Sequence, residues 1–249
     1  WSPHTELEEK YPQAYVNMGI TAENVAKLHG ITREDQEAFS LLSHQKAVKA
    51  IRRGNFINEI APINDSGISI DEDDCIRADT SLESMANLPP AFIEGGCVTA
   101  ATSSPLTDGA VFSLVCSEEF AHANGLTPIA AIVAGAVTGC PPNLMGMGPV
   151  SATELVLNRS GWDISSVDVF ELNEAFSSQS LACMRHLGID SGKVNLDGGA
   201  IAIGHPLGAS GARITCKAAS ILSRTGGQRA IATMCIGGGM GIATALEIL

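Results

Sequence analysis

The stretch that decides the fold reads GGAIAIGHPLGASGAR and occupies residues 198–213. It surrounds one histidine, His205, with small residues, which allow a ligand or a backbone segment to approach the imidazole closely. The spacing matches neither a Rossmann phosphate loop nor a Walker loop, so it does not indicate a nucleotide site. Glycine and proline on either side hold His205 in place, which suits a donor to a developing oxyanion. The alternative interpretation is a tight turn that holds an incidental histidine.

A second cluster, VFELNEAF, lies upstream at residues 169–176. An apolar run ends in Asn173 and Glu174, and a helix is predicted to follow. Ligands bind at the carboxyl ends of strands in open α/β sheets, where an asparagine amide can donate a hydrogen bond to a water or a carbonyl. The alternative is a helix N-cap asparagine followed by a first-turn glutamate.

A third cluster, MCIGGGMG, lies downstream at residues 234–241. Cys235 ends an apolar strand, and the three glycines after it leave backbone N–H groups free to face a substrate. A buried, inert thiol is the alternative. One helix and one strand separate His205 from Cys235, so a parallel α/β unit brings both, together with Asn173, to one rim of a sheet.

The composition limits the classes of function. Of the 249 residues, 45% are hydrophobic and only 4% aromatic, which indicates a folded protein with an aliphatic core. A net charge of -12 disfavours nucleic-acid binding. No apolar run approaches the roughly 18 residues of a membrane helix. Seven cysteines without a C-x-x-C pair favour reduced thiols, no metal site and a reducing compartment. We expect the cytoplasm, and an organellar matrix is the alternative.

The residue patterns predict an α/β fold in which residues 126–249 form one layered unit around a central sheet. The helix over 209–224 is expected to be almost wholly buried. Predicted strands occupy 98–101, 129–137, 167–172, 230–235 and 241–249. Predicted helices occupy 21–29 with Thr21 as cap, 32–54 with a Thr32–Asp35 capping box, 151–160, 174–187 and 209–224, and glycines at 30, 161, 188 and 226 are expected to end four of them.

The three clusters together resemble the C-terminal signatures of the thiolase family, in the family's order. NEAF at 173–176, GGAIAIGHPLGASGAR at 198–213 and CIGGGMG at 235–241 carry the resemblance. MGITAENVA from Met18 resembles the start of the family's loop domain, and VTAATSSPLTDGA from Val98 resembles its first-half strand and turn segment. The resemblance therefore extends over essentially the whole chain.

The resemblance implies a thiolase-like layered α/β fold in three parts. Residues 1–94 correspond to a loop domain that binds CoA, residues 95–125 to a remnant of the N-terminal catalytic domain, and residues 126–249 to a complete C-terminal catalytic domain. The implied reaction is a reversible Claisen exchange between a 3-ketoacyl-CoA plus CoA and two shorter acyl-CoAs, through an acyl-cysteine. Coenzyme A is a substrate, and no cofactor or metal is implied.

The family's catalytic roles transfer to four residues. His205 is expected to bind a thioester oxygen and help activate the nucleophile, and Asn173 to hold a water that completes this oxyanion site. Cys235 is expected to be the general acid/base, since a thiol pKa near 8.5 needs only modest tuning to work in both directions. The N–H of Gly237 is expected to stabilise the acyl-enzyme oxyanion.

The family's CoA contacts transfer to seven further positions. Arg77 matches an adenine-side contact, Ser84 a polar neighbour and Ser104 a residue near the pantetheine. Four apolar positions match the lining of the pantetheine and acyl path: Met18, Phe92, Met145 and Phe176. A few placed cations and helix N-termini are enough to bind phosphates locally in an acidic chain.

The chain departs from the family pattern at the nucleophile. The family's nucleophilic cysteine stands in an N-x-C-x-S-G-like context in the N-terminal half, and none of the other six cysteines here has that context. We therefore expect a missing N-terminal thiolase segment as a partner, besides CoA and acyl-CoA. The resemblance also implies a homodimer or homotetramer, or membership of a β-oxidation complex. Thr102-Ser103-Ser104 resembles the degradative enzymes of fatty-acid β-oxidation. A biosynthetic acetoacetyl-CoA thiolase and a non-catalytic, acyl-CoA-binding relative remain alternatives.

Overall fold

The computed structural model describes residues 2–249, so Trp1, the first residue of the predicted loop domain, lies outside the described residues. The first half is mainly helical. Its elements are α1 (Thr5–Lys10), α2 (Met18–His29), α3 (Arg33–Arg52), the hairpin of β1 (Ile63–Asp65) and β2 (Ile68–Ile70), α4 (Leu82–Ala86) and α5 (Glu118–Ala123). The second half holds β3 (Ala130–Gly139), α6 (Gly148–Ser160), β4 (Val169–Leu172), α7 (Ser177–Leu187), α8 (Ala200–Ile203), α9 (Ser210–Thr225), β5 (Arg229–Ile236) and β6 (Met240–Ile248).

The central sheet has four strands in the order β3-β6-β5-β4. β4 and β5 pair in parallel, as the α/β pattern predicts, but β6 is antiparallel to both β3 and β5. The sheet is mixed because only Gly237, Gly238 and Gly239 connect β5 to β6, and so short a turn joins only antiparallel strands. Gly238 and Gly239 have φ of 82° and 89°, a conformation that glycine adopts without strain.

Helices cover both faces of this sheet. On one face, Phe170 of β4 and Ile231 of β5 pack against Val156 of α6 and Cys183 of α7. On the other face, the neighbouring β4 residue Val169 packs against α9, because successive side chains of a strand point to opposite sides. The predicted layered α/β unit is therefore confirmed as helix, sheet and helix.

The N-terminal helices pack against the second half near the ends of β4 and α8. Ala47 and Ala50 of α3 contact Ala202 and Ile203 of α8. Another cluster joins α2 to Ala182 of α7. Helices α2 and α3 thus pack against the two helices, α7 and α8, that adjoin the loops carrying Asn173 and His205. Within residues 2–249, no helix is both long and apolar enough to cross a membrane.

The helix boundaries test the predicted caps. The capping box of α3 is confirmed, since the Thr32 hydroxyl accepts from the Asp35 N–H at 3.1 Å. Thr21 as the cap of α2 is wrong, because Asn17 caps that helix by accepting from the N–H of Gly19 at 2.8 Å. The four predicted glycine stops are confirmed, since all four have a left-handed backbone after a helix: Gly30, Gly161, Gly188 and Gly226.

The strand predicted over 98–101 is wrong. The Glu23 carboxylate accepts hydrogen bonds from the N–H groups of Cys97 at 3.0 Å and Val98 at 2.9 Å. The segment also forms one isolated antiparallel bridge, Pro90 with Thr99, so a single bridge and a side chain of α2 take the place of neighbouring strands. The chain then enters a short 3₁₀ helix, Ala100–Thr102.

Two expectations about helices also need correction. α7 begins at Ser177 rather than Glu174, because the N–H of Ser104 donates to the Ala175 carbonyl at 3.0 Å and keeps this segment extended. α9 is not almost wholly buried. Its inner face, with Ile214 and Ile221, packs on the sheet, whereas Cys216 on the opposite side is exposed, since the described residues cover only one side of this helix.

Candidate active site

Asn173 and His205 form the centre of the site. The Asn173 amide nitrogen lies 3.3 Å from Nε2 of His205, and both side chains are buried. Asn173 directly follows β4, and its backbone N–H donates to the Thr233 carbonyl of β5 at 2.9 Å. It therefore extends the sheet, and the alternative interpretation as a helix N-cap is wrong, since α7 begins four residues later.

The His205 ring is held from its other side by Ser210. Nδ1 lies 2.6 Å from the Ser210 hydroxyl, and the backbone N–H of His205 donates to the Pro105 carbonyl at 3.2 Å. Gly204, with φ of 102°, makes this approach possible, since a Cβ there would stand 2.7 Å from the Thr107 hydroxyl. Burial, and then the positive charge of Arg213, lower the pKa of His205. The ring is therefore neutral at physiological pH.

The carbonyl oxygen of the Asn173 side chain has no hydrogen-bond partner within residues 2–249, although it is fully buried. An unsatisfied buried acceptor costs about 1–3 kcal/mol, so a water or a ligand group that donates to it gains that free energy. The site therefore offers an open acceptor beside the histidine.

Glu174 connects the elements around the site, a role that sequence reasoning missed. Its carboxylate accepts from the Ser43 hydroxyl of α3 at 2.6 Å, from the Asn195 amide at 2.8 Å and from the Ile201 N–H of α8 at 3.2 Å. A Cβ at Gly199 would stand 2.1 Å from the carboxyl carbon. The signals in the sequence are the position of Glu174 beside Asn173 and the paired glycines at 198–199.

Cys235 lies near the carboxyl end of β5 and is 6% exposed. Burial raises the pKa of its thiol to about 12. Burial therefore favours the protonated thiol, which is the form that a general acid needs, and the expected acid/base role of Cys235 stays a prediction. The next turn brings Gly237 close to α2, where an added Cβ would stand 3.7 Å from the Met18 sulfur.

The predicted apolar lining residues surround Cys235. Met18, Met145 and Phe176 belong to the same apolar cluster as the thiol. Phe92 contacts the Phe176 ring edge to face, with the ring centroids 5.9 Å apart. Ser104 joins this group through its bond to the Ala175 carbonyl. The structure thus brings the lining positions and the predicted pantetheine-side serine to the same end of the sheet as the polar residues.

Arg77 and Ser84 are not joined to this group by any hydrogen bond among the described residues. Arg77 is exposed, and its backbone N–H donates to Nδ1 of His44 at 3.1 Å. Ser84 is also exposed, and it completes the cap of α4, in which its hydroxyl donates to the Ser81 carbonyl at 2.8 Å. Their predicted adenine-side role rests on the resemblance.

Three further thiols lie around Cys235, and sequence reasoning did not associate them with the site. Cys97 packs against the same apolar cluster, and Cys140 and Cys183 are close enough that a thiolate at Cys140 would raise the pKa of Cys235, and one at Cys235 would raise that of Cys183. Burial raises the pKa of all three thiols. None of them is an activated thiolate in this arrangement.

Two ionisable side chains with polar atoms unpartnered among the described residues, Glu171 and Arg213, lie near the polar centre. Burial raises the pKa of Glu171 to about 8, although the charges of Arg213 and Lys217 act in the opposite direction. One oxygen of Glu171 and all three guanidinium nitrogens of Arg213 lack a hydrogen-bond partner within residues 2–249. Over the same residues, no group of three or more histidine, cysteine, aspartate and glutamate side chains is placed to hold a metal ion.

Two family models match the chain. The model described as "Thiolase, N-terminal domain" matches residues 5–119, and the model described as "Thiolase, C-terminal domain" matches residues 126–248. Among curated relatives, a 3-ketoacyl-CoA thiolase of Marinobacter nauticus is 50% identical over 98% of this chain and 65% of its own length. An acetyl-CoA acetyltransferase of Chromobacterium violaceum is 47% identical over 93% of this chain and 60% of its own length.

Solved structures share the fold. An acetyl-CoA acetyltransferase of Bacillus anthracis superposes with a TM-score of 0.91 at 41% identity, covering 94% of this chain and 60% of that protein. A human mitochondrial 3-ketoacyl-CoA thiolase in complex with CoA superposes with a TM-score of 0.89 at 38% identity, covering 96% and 60%. The present chain thus spans between 60% and 65% of the length of these four proteins.

Proposed function

The chain belongs to the thiolase family, and we propose that it contributes most of the active site of an acyltransferase that cleaves 3-ketoacyl-CoA with CoA. The reaction is of the fatty-acid β-oxidation type and releases acetyl-CoA. The observation that carries the proposal is the 3.3 Å contact between Asn173 and His205, at the end of the sheet where Cys235 lies.

Asn173 and His205 form the site for the thioester oxygen in this proposal. The histidine donates to the oxygen from Nε2, and a water held at the open Asn173 carbonyl donates from a second direction. Preorganised donors of this kind stabilise the negative charge that develops on the oxygen in the transition state. The buried, unpartnered Asn173 oxygen supports the presence of such a water.

Cys235 supplies the proton for carbon–carbon cleavage in this proposal. When the bond breaks, its electron pair moves to the α-carbon of the departing acetyl-CoA, and the Cys235 thiol protonates that carbon. The resulting thiolate then takes the proton of the incoming CoA thiol, whose sulfur attacks the acyl-enzyme. The N–H of Gly237 stabilises the acyl-enzyme oxyanion. The raised pKa of Cys235 supports a resting thiol that is ready to act as an acid.

The nucleophilic cysteine comes from a thiolase segment outside this sequence in our proposal. Six of the seven cysteines here have a pKa raised chiefly by burial, which opposes nucleophilic activation. The length of the relatives also supports a further segment. We call this chain together with that segment the assembled enzyme, and we propose that it forms a homodimer or homotetramer or joins a β-oxidation complex.

CoA binds along the face formed by the first half of the chain in this proposal. Residues 1–94 form the loop domain, 95–125 a remnant of the N-terminal catalytic domain and 126–249 the C-terminal catalytic domain. Arg77 and Ser84 contact the adenine side, and Ser104 lies near the pantetheine. The apolar cluster around Cys235 supports a path for the pantetheine and acyl chain lined by Met18, Phe92, Met145 and Phe176.

A biosynthetic acetoacetyl-CoA thiolase is the second candidate, because the Chromobacterium violaceum acetyl-CoA acetyltransferase is 47% identical to this chain. The two candidates differ in direction and chain length. Comparing thiolysis of acetoacetyl-CoA with that of longer 3-ketoacyl-CoAs, and with condensation of acetyl-CoA, distinguishes them.

The role of Cys235 is tested by Cys235→Ser in the assembled enzyme. We expect a simple acyl-CoA to acylate the variant normally, which the intact mass of the protein measures. The rate of thiolysis should fall by about 10²–10⁴-fold, which is the usual contribution of a positioned acid/base. Thiolysis is followed by the loss of 3-ketoacyl absorbance. Cys183→Ser, which replaces another fully buried thiol, serves as the control. Acylation of Cys235 itself would reverse the assignment and make it the nucleophile.

A further inference from the structure

Ser210 contacts Nδ1 of His205, the ring nitrogen that does not face Asn173. It is the first residue of α9, and its side chain is completely buried. Its hydroxyl oxygen lies 2.6 Å from Nδ1 of His205 and 3.0 Å from the carbonyl oxygen of Pro206. A hydroxyl has one proton and two lone pairs, so Ser210 donates to only one of these two groups at a time.

The Pro206 carbonyl does not depend on the Ser210 hydroxyl. It already accepts the backbone N–H groups of Ala209 and Ser210, each at 2.9 Å. A carbonyl oxygen has two lone pairs, and these two bonds use both. The hydroxyl can therefore turn from Pro206 to His205 without leaving a buried carbonyl unsatisfied.

Each orientation matches one protonation state of the imidazole. When the hydroxyl donates to Nδ1, the neutral ring carries its proton on Nε2 and can donate it to a bound oxygen. The Asn173 amide nitrogen, 3.3 Å from Nε2, only donates, so without such an oxygen Nε2 accepts from Asn173. When the hydroxyl donates to Pro206, its oxygen accepts the Nδ1–H, and Nε2 is then free to take a proton and form the imidazolium. The partner that a histidine has at one nitrogen decides what its other nitrogen does.

We propose that Ser210 is a positioning residue that keeps Nε2 of His205 directed at the reacting groups and, by turning its hydroxyl, satisfies Nδ1 in both the neutral and the protonated ring. The inference deepens the proposed function and rests on it. His205 must donate from Nε2 to a thioester oxygen, and it must also take the proton of the nucleophilic thiol. In the second step one proton moves from sulfur to Nε2, which leaves a thiolate and an imidazolium.

A hydroxyl suits this double task better than a carboxylate would. A carboxylate only accepts, so it would hold the proton on Nδ1 and favour the charged ring. The His205 ring is instead buried and faces the positive charge of Arg213, and both effects disfavour the imidazolium. A neutral partner that both donates and accepts leaves the two states of the ring accessible.

The test compares Ser210→Ala with Thr215→Ala in the assembled enzyme. Thr215 is the matched control, because its hydroxyl donates to the Gly211 carbonyl at 2.8 Å on the same helix, in the same i to i−4 pattern, and does not contact His205. We expect Ser210→Ala to lower the rate constants of acylation and thiolysis by about 10- to 100-fold with the KM for CoA unchanged, and Thr215→Ala to leave them within about twofold. Ser210→Thr, which keeps a hydroxyl, should restore most of the activity.

A second readout does not depend on turnover. In protein with ¹⁵N-labelled histidine, the signal that disappears in His205→Gln reports the protonation of both ring nitrogens as a function of pH. We expect Ser210→Ala to lower the pKa of His205, because the imidazolium loses an acceptor at Nδ1, and Thr215→Ala to leave it as in the parent. Urea unfolding of each variant shows that it is folded.

Two results would overturn the proposal. One is an unchanged His205 titration in folded Ser210→Ala, and the other is an equal loss of rate in Ser210→Ala and Thr215→Ala. Failure of the proposed function looks different, since the parent itself then lacks thiolysis while the titration still reports on Ser210.

Discussion

Two tetrapeptides of nearly identical sequence have opposite fates in this molecule. VFEL at residues 169–172 forms the buried strand β4, whereas VFSL at residues 111–114 has no regular secondary structure and is largely exposed. Phe170 is 2% exposed and Phe112 is 97% exposed. β4 pairs with β5 over its whole length, from Val169 opposite Ala230 to Leu172 opposite Thr233. High β-propensity therefore yields a strand only where a neighbouring strand supplies the hydrogen bonds.

The largest expected change in stability tests the difference between the two tetrapeptides directly. Phe170→Ala should lower the free energy of unfolding of the chain by about 3–5 kcal/mol, because it leaves a cavity between the sheet and α6. Phe112→Ala, the matched control, should change it by less than about 0.5 kcal/mol, since the exposed ring has little packing to lose. Urea unfolding measures both, and equal costs would contradict the comparison.

The same two substitutions, Phe170→Ala and Phe112→Ala, can also be compared in the assembled enzyme. If the proposed N-terminal segment covers residues 111–114, the cost of Phe112→Ala should rise toward that of Phe170→Ala there. If Phe112→Ala leaves the free energy of unfolding of the assembled enzyme unchanged, the N-terminal segment packs elsewhere.

The third positions of the two tetrapeptides, Glu171 and Ser113, provide the next test. Burial raises the folded-state pKa of Glu171 to about 8, well above its ordinary value, so the folded protein holds this proton more tightly than the unfolded chain. The stability that this proton provides is fully present below the unfolded-state pKa and is lost as the pH rises toward 8 and through it. Between pH 5 and pH 8 the loss should reach up to about 4 kcal/mol, at about 1.4 kcal/mol per pH unit.

Glu171→Gln removes this dependence, because the amide does not titrate. We expect the variant to be at least as stable as the parent at pH 8 and its free energy of unfolding to vary less with pH. Urea unfolding at several pH values measures the slope. An unchanged slope in the variant would show that Glu171 does not titrate in this range.

The smallest expected change in stability tests the close packing next to β4. Residues 111–114 have no such packing. Gly199→Ala forces a methyl group against the Glu174 carboxyl, so we expect a loss of about 1–3 kcal/mol in the free energy of unfolding. Gly135→Ala is the control, since a Cβ there has no atom within 4 Å and Gly135 has no positive φ. Urea unfolding compares the two variants. Equal free energies of unfolding would show that the Glu174 side chain moves to accommodate the methyl group without destabilising the fold.

The local features of the fold were predictable, because short stretches of sequence determine them. Thr32 and Asp35 form the capping box that their three-residue spacing predicts. Gly161 and Gly188 end their helices with a left-handed backbone, which glycine adopts without the cost that a Cβ imposes. The order of the three clusters was also enough to place Asn173, His205 and Cys235 near one end of the sheet.

The interactions between distant segments were not predictable. The strand expected over 98–101 is replaced by bonds to Glu23, a residue 74 positions from Cys97 in the chain. The close approach of Glu174 to Ser43 likewise joins residues 131 positions apart. Periodicity and propensity describe neighbours in sequence and contain no information about such partners.

The sequence by itself thus determined the capping box of α3, the four glycine helix stops, the glycine turn between β5 and β6, and the identity of the groups available for chemistry. Only the tertiary structure decided which of two similar V-F-x-L stretches became a strand, how deeply Cys235 is buried and which group holds Nδ1 of His205. The physical reason is range. A cap or a turn is made by residues a few positions apart, whereas desolvation and strand pairing depend on the chain segments that folding brings together.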